Sequence, residues 1–341
     1  MPGRGGLEDG MIKIFVTYRC NLACPYCFAT RMRREYPGDM TREAFARLLQ
    51  WMRGAGLPAA AFIGGEPTLH PDLPEMIAAT AEAGIPAVLF TNGLFPVSLA
   101  ERLAPLTANF VVNYNDPAGY TPDQAALRHA VLIRLRELGA RVAFSKNFSR
   151  DGLDYGYLLE ALDRYGVTTV RYDISRPSHD AANDHFTLDD TRRIMSHAAA
   201  FVKACEARGV RTGLDCSVRL CDLYDEDRRY LERVSMKFSG VCHPCADVHP
   251  DLSASYCLPM RGIGVPDVTA FADHAALMWR LAEAARPVRL ANVSAACFEC
   301  KDFMRRCQGG CMALMRTARP ATGPDEADGS RQAAPTEAGN T

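Results

Sequence analysis

The sequence has no run of eighteen consecutive apolar residues, which is the length that a membrane-spanning helix needs. Its first ten residues, MPGRGGLEDG, also lack the apolar stretch of a secretory signal peptide. We therefore expect a cytoplasmic protein with no membrane partner.

An excess of charge is also missing, because 39 Lys and Arg residues face 40 Asp and Glu residues, for a formal net charge of −1. Proteins that bind nucleic acids present clustered positive charge to the phosphates. We therefore expect no nucleic acid partner. A GxxxxGK[ST] loop, which would cradle nucleotide phosphates, is absent as well.

Cysteine, in contrast, is abundant, with thirteen residues, many of them in closely spaced groups. Because cytosolic thiols stay reduced, such groups favour metal ligation over disulfides. The first group is Cys20, Cys24 and Cys27, in YRCNLACPYCFAT. Three thiolates on a [4Fe–4S] cluster would leave one iron open for substrate chemistry. A zinc knuckle with a fourth ligand from elsewhere is the alternative, and the number of cysteines does not exclude it.

Short apolar runs alternate with amphipathic stretches between Met11 and about Gly209. Strands alternating with helices predict parallel βαβ units. Six units fit either a doubly wound sheet or an incomplete barrel, and periodicity does not distinguish them. The predicted strands cover residues 12–18, 59–65, 87–93, 109–115, 141–147 and 168–175.

The pattern changes after a long predicted helix at about 189–208, where cysteines become dense and regular units stop. We place a domain boundary near Gly209, between a βα domain at 11–209 and a cysteine-rich domain at 210–318. Residues 1–10 and 319–341 are predicted to be disordered. The tail has almost no large apolar side chain and cannot offset the entropy of ordering.

The CxxxCxxC spacing, with the aromatic Tyr26 before the last cysteine, resembles the signature of the radical S-adenosylmethionine (radical SAM) enzymes. The resemblance implies an α/β fold with a partial (β/α)6 TIM-like barrel, in agreement with the six units. It also implies that S-adenosylmethionine (SAM) binds the open iron of the cluster, with Tyr26 among the residues that bind SAM. One electron then cleaves SAM to methionine and a 5′-deoxyadenosyl radical, which abstracts hydrogen from a substrate.

A second motif, GGEPTLHPD, begins at Gly64 where the second predicted strand closes. It resembles the GGEP element of the same family. By that resemblance, Gly64 and Gly65 let the backbone approach the methionyl ammonium of SAM, and Glu66 pairs with the ammonium. A glycine pair that ends a strand is by itself more often just a turn.

Three further strand ends carry weaker candidates for binding SAM. Asn113 stands where many relatives have a serine that contacts the ribose or carboxylate of SAM, and Arg171 stands where relatives often place an arginine near that carboxylate. Lys146 is a weaker candidate than Arg171, and either cation could be a solvated charge at a strand end. FTNG at 90–93 looks like another family element, although an Asn-Gly turn explains it equally well.

The cysteines from Cys242 to Cys311 form a second field of cysteines. Their spacing resembles the SPASM extension, or the shorter twitch extension, of radical SAM enzymes. The SPASM resemblance implies a first auxiliary [4Fe–4S] cluster on Cys242, Cys245, Cys257 and Cys311. It implies a second cluster on Cys297, Cys300 and Cys307, whose last ligand would follow Cys311 and is missing. That cluster would have three protein thiolates or be absent. The twitch pattern would instead hold one cluster on Cys242, Cys257, Cys297 and Cys300, and two structural zinc sites are a further alternative.

Several other residues near the second field are candidates for a role. Cys216 and Cys221 are possible ligands but also suit a buried strand. Asp247, Asp251 and Tyr256 could move protons, although isolated polar residues in loops are more often structural. No catalytic residue is assigned from the sequence.

These resemblances imply a radical SAM enzyme that oxidises or cross-links a small molecule or a peptide, with electrons from a donor such as flavodoxin or ferredoxin. Only about ten residues precede the first strand, so we expect no leader-recognition domain, which modestly favours a small molecule or short peptide. A maturase of a ribosomal peptide with a separate recognition protein is the alternative. A non-catalytic zinc or iron–sulfur electron-transfer protein would leave the GGEP element unexplained.

Overall fold

The computed structural model describes residues 10–317, so the predicted disordered segments lie outside the described residues, apart from Gly10. The structure is built on one sheet of eleven strands. The strands are β1 (Ile12–Thr17), β2 (Ala60–Gly64), β3 (Ala87–Thr91), β4 (Asn109–Asn113), β5 (Val142–Phe148), β6 (Thr169–Ile174), β7 (Arg211–Leu214), β8 (Ser235–Met236), β9 (Asp247–Val248), β10 (Ala254–Ser255) and β11 (Gly264–Val265).

Helices connect these strands and cover one face of the sheet. They are α1 (Met32–Glu35), α2 (Arg42–Gly54), α3 (Leu73–Glu82), α4 (Val97–Leu103), α5 (Pro122–Glu137), α6 (Gly156–Tyr165), α7 (Thr191–Glu206), α8 (Asp225–Val234), α9 (His274–Asn292), α10 (Ala295–Phe298) and α11 (Met312–Thr317). Within residues 10–317, no helix is both long and apolar enough to cross a membrane.

All six predicted strands are present, and β1 to β8 pair in chain order with every neighbouring pair parallel. The sheet continues past Gly209, since β7 pairs with β6 and β8 pairs with β7. At the opposite edge β9 pairs parallel with β1, and β10 and β11 follow antiparallel. Gly209 is therefore not the end of the parallel sheet, and its role as a domain boundary stays a prediction.

The two faces of the sheet carry separate groups of buried side chains. Toward the helices, alternate residues such as Ile12, Ile14 and Phe62 are fully buried in the main core. The opposite face carries a smaller apolar cluster that includes Met11 and Phe90. Both of these residues line a cavity of about 2170 Å³ on that side of the sheet.

Candidate active site

The first three cysteines lie in the loop that follows β1, and all three line the cavity. The N–H of Leu22 donates to Sγ of Cys20 at 3.4 Å, and the side-chain amide of Asn115 donates to Sγ of Cys24 at 3.7 Å. Burial raises the pKa of the Cys20 and Cys24 thiols, so a metal that binds them must displace their protons.

Gly64 and Gly65 are needed because the chain itself passes close to them. A Cβ atom on Gly64 would lie 2.1 Å from the carbonyl oxygen of Thr17, and one on Gly65 would lie 2.3 Å from that of Arg19. The N–H of Glu66 also donates to the Arg19 carbonyl at 2.7 Å. The two glycines therefore let the end of β2 pack against the start of the cysteine loop. Their predicted contact with the methionyl ammonium stays a prediction.

Glu66 is only 1% exposed, and its carboxylate accepts four hydrogen bonds. Oε1 accepts from the hydroxyls of Thr68 and Thr91 at 2.7 and 2.8 Å and from the N–H of Thr68 at 3.2 Å. Oε2 accepts from the N–H of Asn92 at 2.7 Å. Burial raises the pKa of Glu66, and these donors oppose that shift. The carboxylate is thus held in one orientation at the cavity wall.

Sequence reasoning did not assign roles to Thr91 and Asn92, although both belong to the FTNG element. The side-chain amide of Asn92 also donates to Oδ1 of Asn21 at 2.7 Å, beside Cys20. One turn at the end of β3 therefore holds both Glu66 and the cysteine loop. The sequence did contain a signal for this contact, which is the position of the two elements. FTNG and GGEP each lie at the carboxyl end of a predicted parallel strand, and such ends share one edge of a sheet.

Tyr26 and Asn113, both predicted to bind SAM, contact each other. The Asn113 amide donates to Oη of Tyr26 at 2.9 Å, and that hydroxyl donates to Oδ1 of Asn115 at 2.6 Å. The Asn183 amide donates to the carbonyl oxygen of Tyr26 at 2.9 Å. Asn113 thus positions the cysteine loop through Tyr26, and a direct contact with SAM stays a prediction.

Arg171 and Lys146 line the cavity but already have protein partners. The Arg171 guanidinium pairs with the carboxylate of Asp215, with Nε to Oδ1 at 2.9 Å, and lies 5.0 Å from the ring of Phe90. The Lys146 ammonium donates to the Tyr157 hydroxyl at 2.9 Å, and burial lowers the pKa of Lys146 to about 8. The predicted contact of Arg171 with the SAM carboxylate stays a prediction.

Three of the four cysteines predicted for the first auxiliary cluster lie together at the cavity. Burial raises the pKa of Cys257, and the charges of Cys242 and Cys311 raise it further. The charge of Cys311 also raises the pKa of Cys242. Cys245 also lines the cavity, but it packs against the apolar cluster that includes Met11 and Phe90. Burial raises the pKa of Cys245, and the charge of Lys13 partly opposes that shift.

The predicted proton carriers differ in their positions. Asp247 is 4% exposed at the cavity wall, accepts a hydrogen bond from the Leu258 N–H at 2.8 Å, and has its pKa raised to about 6 by burial. Tyr256 lines the cavity beside Cys242. Asp251 lies on an exposed turn, where it accepts from Ser253. Proton transfer by any of the three stays a prediction.

The spacing of the thiols bears on the choice between zinc and iron–sulfur clusters. In residues 10–317, only Asp173, Asp215 and Cys216 place three metal-binding atoms within 4.8 Å of one another. Those two carboxylates already pair with Arg176 and Arg171. Four thiolates on one zinc, at about 2.3 Å each, would lie about 3.8 Å apart. No cysteine trio in residues 10–317 has that spacing, so the thiols are not arranged around a single zinc ion in this structure.

The donor set of the first site fits the cofactors of a radical SAM enzyme, since three thiols adjoin a fixed carboxylate. Residues 14–115 match the model of the Radical SAM superfamily, in agreement with the resemblance of the motifs. The matched segment contains the cysteine trio, GGEP, FTNG and Asn113. Members of the superfamily use a [4Fe–4S] cluster and SAM, as the sequence predicted.

Two curated relatives indicate the range of the superfamily. Fe-coproporphyrin III synthase of Methanosarcina barkeri is 36% identical over 97 residues, which is 28% of this chain and 24% of that protein. PqqA peptide cyclase of Xanthomonas axonopodis pv. citri is 35% identical over 131 residues, 37% of this chain and 35% of that protein. The chain thus matches only a quarter to a third of the length of these relatives.

Solved structures match over a larger part of the chain. SuiB of Streptococcus suis bound to S-adenosylmethionine has a TM-score of 0.64 and 16% identity, covering 88% of this chain and 72% of SuiB. SuiB bound to its precursor peptide SuiA has a TM-score of 0.62 at the same identity, covering 88% and 71%. These matches confirm the predicted fold class.

Proposed function

We propose that this chain is a radical SAM enzyme that abstracts hydrogen from a small molecule or a peptide and then oxidises or cross-links it. Cys20, Cys24 and Cys27 would hold the [4Fe–4S] cluster that binds SAM. When bound, the cofactors supply a 5′-deoxyadenosyl radical by one-electron cleavage of SAM. The observation that carries the proposal is the buried carboxylate of Glu66. The backbone N–H of the same residue donates to the carbonyl oxygen of Arg19, immediately before Cys20.

The proposed role of Glu66 is to bind and orient the ammonium of SAM. Its four donors favour the ionised carboxylate, and Oε2 accepts only one of them, which leaves that oxygen with free acceptor capacity. A charge-assisted hydrogen bond to an ammonium would fill it. Asn92 and Asn21 would keep this carboxylate and the cysteine loop at a fixed separation.

We propose that the C-terminal cysteines form a SPASM-like auxiliary region, in which Cys242, Cys245, Cys257 and Cys311 hold a cluster at the cavity. The charges of Cys242 and Cys311 raise the pKa of Cys257, and the charge of Cys311 raises the pKa of Cys242, which supports this set of ligands. It favours the SPASM assignment over the twitch assignment, which would pair Cys242 and Cys257 with Cys297 and Cys300. A cluster beside the cavity could accept an electron from a substrate radical, which suits net oxidation.

The substrate, electron donor and location of the protein belong to the same proposal. We propose flavodoxin or ferredoxin as donor, a cytoplasmic location, and no nucleic acid or membrane partner. All thirteen cysteines are free thiols, which suits a reducing compartment. SuiB is named with a precursor peptide and PqqA peptide cyclase with a peptide, whereas Fe-coproporphyrin III synthase is named for a small molecule. Both substrate classes therefore stay within the proposal.

Anaerobic reconstitution with iron and sulfide, followed by SAM and a reductant, tests this function through the formation of 5′-deoxyadenosine. We expect Cys24→Ala to abolish the product and Cys297→Ala to retain cleavage of SAM. Cys205→Ala, a cysteine buried in α7 away from both fields, is the control. Equal loss in the Cys24 and Cys297 variants would contradict the division of roles. Zinc in place of iron, without 5′-deoxyadenosine, would support the non-catalytic alternative.

A further inference from the structure

Cys297, Cys300 and Cys307 form a group of three thiols, one fewer than the four that a [4Fe–4S] cluster ordinarily takes. None of these three lines the cavity, unlike the other proposed cluster ligands. The structure places another cysteine beside them. Cys221 lies on the short 3-10 turn Leu220–Asp222, which follows β7, and it is exposed.

The two residues before Cys221, Arg219 and Leu220, pack against the segment that carries Cys307. A Cβ atom on Gly310 would lie 3.2 Å from Cβ of Arg219 and 3.3 Å from its backbone nitrogen. A Cβ atom on Gly240 would lie 2.8 Å from Cγ of Leu220 and 3.0 Å from Cα of Cys307. These contacts leave no room for a side chain at either glycine. The turn at Cys221 is therefore seated against the Cys307 segment.

Backbone pairing fixes the same arrangement. Gly240 forms a bridge with Cys307, and the N–H of Gln308 donates to the carbonyl oxygen of Gly240 at 2.8 Å. The carbonyl oxygen of Cys221 accepts from the Arg192 guanidinium at 3.3 Å, which ties the turn to α7. The position of Cys221 is therefore set from two sides.

Electrostatic interactions connect Cys307 with both Cys221 and Cys297. Burial raises the pKa of Cys221, and the charges of Asp222 and Cys307 raise it further. Burial likewise raises the pKa of Cys297, with further contributions from Cys307 and Cys300. The Arg219 guanidinium forms an ion pair with Asp222 and also interacts with Cys221 and Cys297, so this ion pair lies beside two of the four thiols.

Cys307 accepts the same kind of hydrogen bond on its sulfur as Cys20 of the first trio does. The N–H of Gly309 donates to Sγ of Cys307 at 3.4 Å, two residues along the chain, as the N–H of Leu22 does to Cys20. Such bonds stabilise thiolates and tune the potentials of iron–sulfur clusters. No three of these thiols lie within 4.8 Å of one another in this structure.

We propose that Cys221 is the fourth ligand of a [4Fe–4S] cluster held by Cys297, Cys300 and Cys307. The ligand comes from the turn after β7, upstream of the cysteine-rich run, instead of from a cysteine after Cys311. Binding replaces four thiol protons by iron–sulfur bonds, and the protons are released to solvent. Since Cys221 and Cys300 are exposed, this cluster lies at the surface and outside the substrate cavity.

Iron and acid-labile sulfide per chain, with electron paramagnetic resonance of the reconstituted full-length protein, test this proposal without any need for SAM. We expect Cys221→Ala and Cys297→Ala each to lose one cluster, about four iron atoms per chain, or to convert it to a three-iron form. The double variant should lose no more iron than Cys297→Ala alone, because both residues serve one cluster. Cys205→Ala should keep the full iron content.

A second variant keeps the test decisive if Cys221→Ala affects folding. Cys221→Asp keeps a ligand atom and should retain iron with an altered resonance signal. Iron content and spectra of Cys221→Ala equal to those of the wild type would overturn the proposal, as would further iron loss in the double variant or zinc at the site. Formation of 5′-deoxyadenosine, measured separately, reports on the first cluster, so the two proposals fail independently.

Discussion

The side-chain amide of Asn113, at the end of β4, donates a hydrogen bond to the hydroxyl of Tyr26, which stands immediately before Cys27. A residue of the parallel sheet thereby fixes the loop that carries the first cysteine trio. The bond is 2.9 Å long and part-buried, and Asn115 accepts from the same hydroxyl. The shape of this loop therefore depends on β4 as well as on its own sequence.

We expect Tyr26→Phe and Asn113→Ala each to slow 5′-deoxyadenosine formation about tenfold, which corresponds to about 1.4 kcal/mol, the scale of one hydrogen bond. Because the two side chains act through one contact, the double variant should be little worse than either single variant. Rates of SAM cleavage under a saturating reductant measure this. Additive losses in the double variant would mean that Asn113 acts on SAM independently of Tyr26.

Glu66→Gln should weaken the binding of SAM at least tenfold, because the amide loses the negative charge and turns N–H groups toward existing donors. Equilibrium dialysis of SAM against the reconstituted protein measures the Kd. Glu82→Gln, at the exposed end of α3, is the matched control and should bind SAM normally. Unchanged binding by the Glu66 variant would remove the carboxylate from the SAM site.

Gly65→Ala should destabilise the protein by about 1–3 kcal/mol, because the new methyl group overlaps the carbonyl oxygens of Tyr18 and Arg19. Urea unfolding followed by circular dichroism measures the change, and iron content should fall as the cysteine loop moves. Gly54→Ala, where nothing lies within 4 Å and the residue ends α2, should leave stability equal or slightly higher. Equal stability of both variants would show that the cysteine loop moves to accommodate the new methyl group at little cost in free energy.

The buried Lys146 makes the stability of the protein depend on pH in the alkaline range. Its pKa falls from 10.5 in the unfolded chain to about 8 in the fold, mainly by burial, against opposing effects of Asp154 and Asp116. Between these values the unfolded chain binds more protons, so stability rises with pH from about 8 to 10.5. Below pH 8 the cost of burying the charge is fully present. The Tyr157 hydroxyl and the Gly152 carbonyl also face the amine.

We therefore expect wild type to gain about 2 kcal/mol relative to Lys146→Met between pH 7 and 9.5. The difference in unfolding free energy between the two proteins, measured in urea at both pH values, isolates this residue. Lys203→Met, at an exposed position on α7, should show no such pH-dependent difference from wild type. A constant offset for Lys146→Met at both pH values would mean that this lysine stays charged in the fold.

The sequence predicted the six parallel strands because each carries a continuous apolar run, as in AAAFIGG before Glu66. Strands β8 to β11 have two residues each, too few to show any periodicity, so they were not predicted. The cysteine trio and the GGEP element carried the resemblance to the Radical SAM superfamily, whose model matches residues 14–115, because their residue types are dictated by chemistry and close packing.

Contacts between distant parts of the chain were the least predictable from sequence. Asp215 pairs with Arg171 across 44 residues and two neighbouring strands, and nothing local to either residue marks the other. The same holds for Thr91 and Glu66, which meet only because β2 and β3 are adjacent. Sequence patterns therefore located the site, whereas the sheet order decided which side chains share it.

The pairing of β9 with β1 links the two cysteine regions of the chain in one hydrogen-bonded ladder. A fragment cut after Gly209 would leave the first strand of the barrel with a bare edge, open to pairing with other molecules. Such a fragment should aggregate even though it retains every residue of the CxxxCxxC and GGEP motifs. Any attempt to isolate the catalytic half for study would therefore need to carry the strand around Asp247 with it.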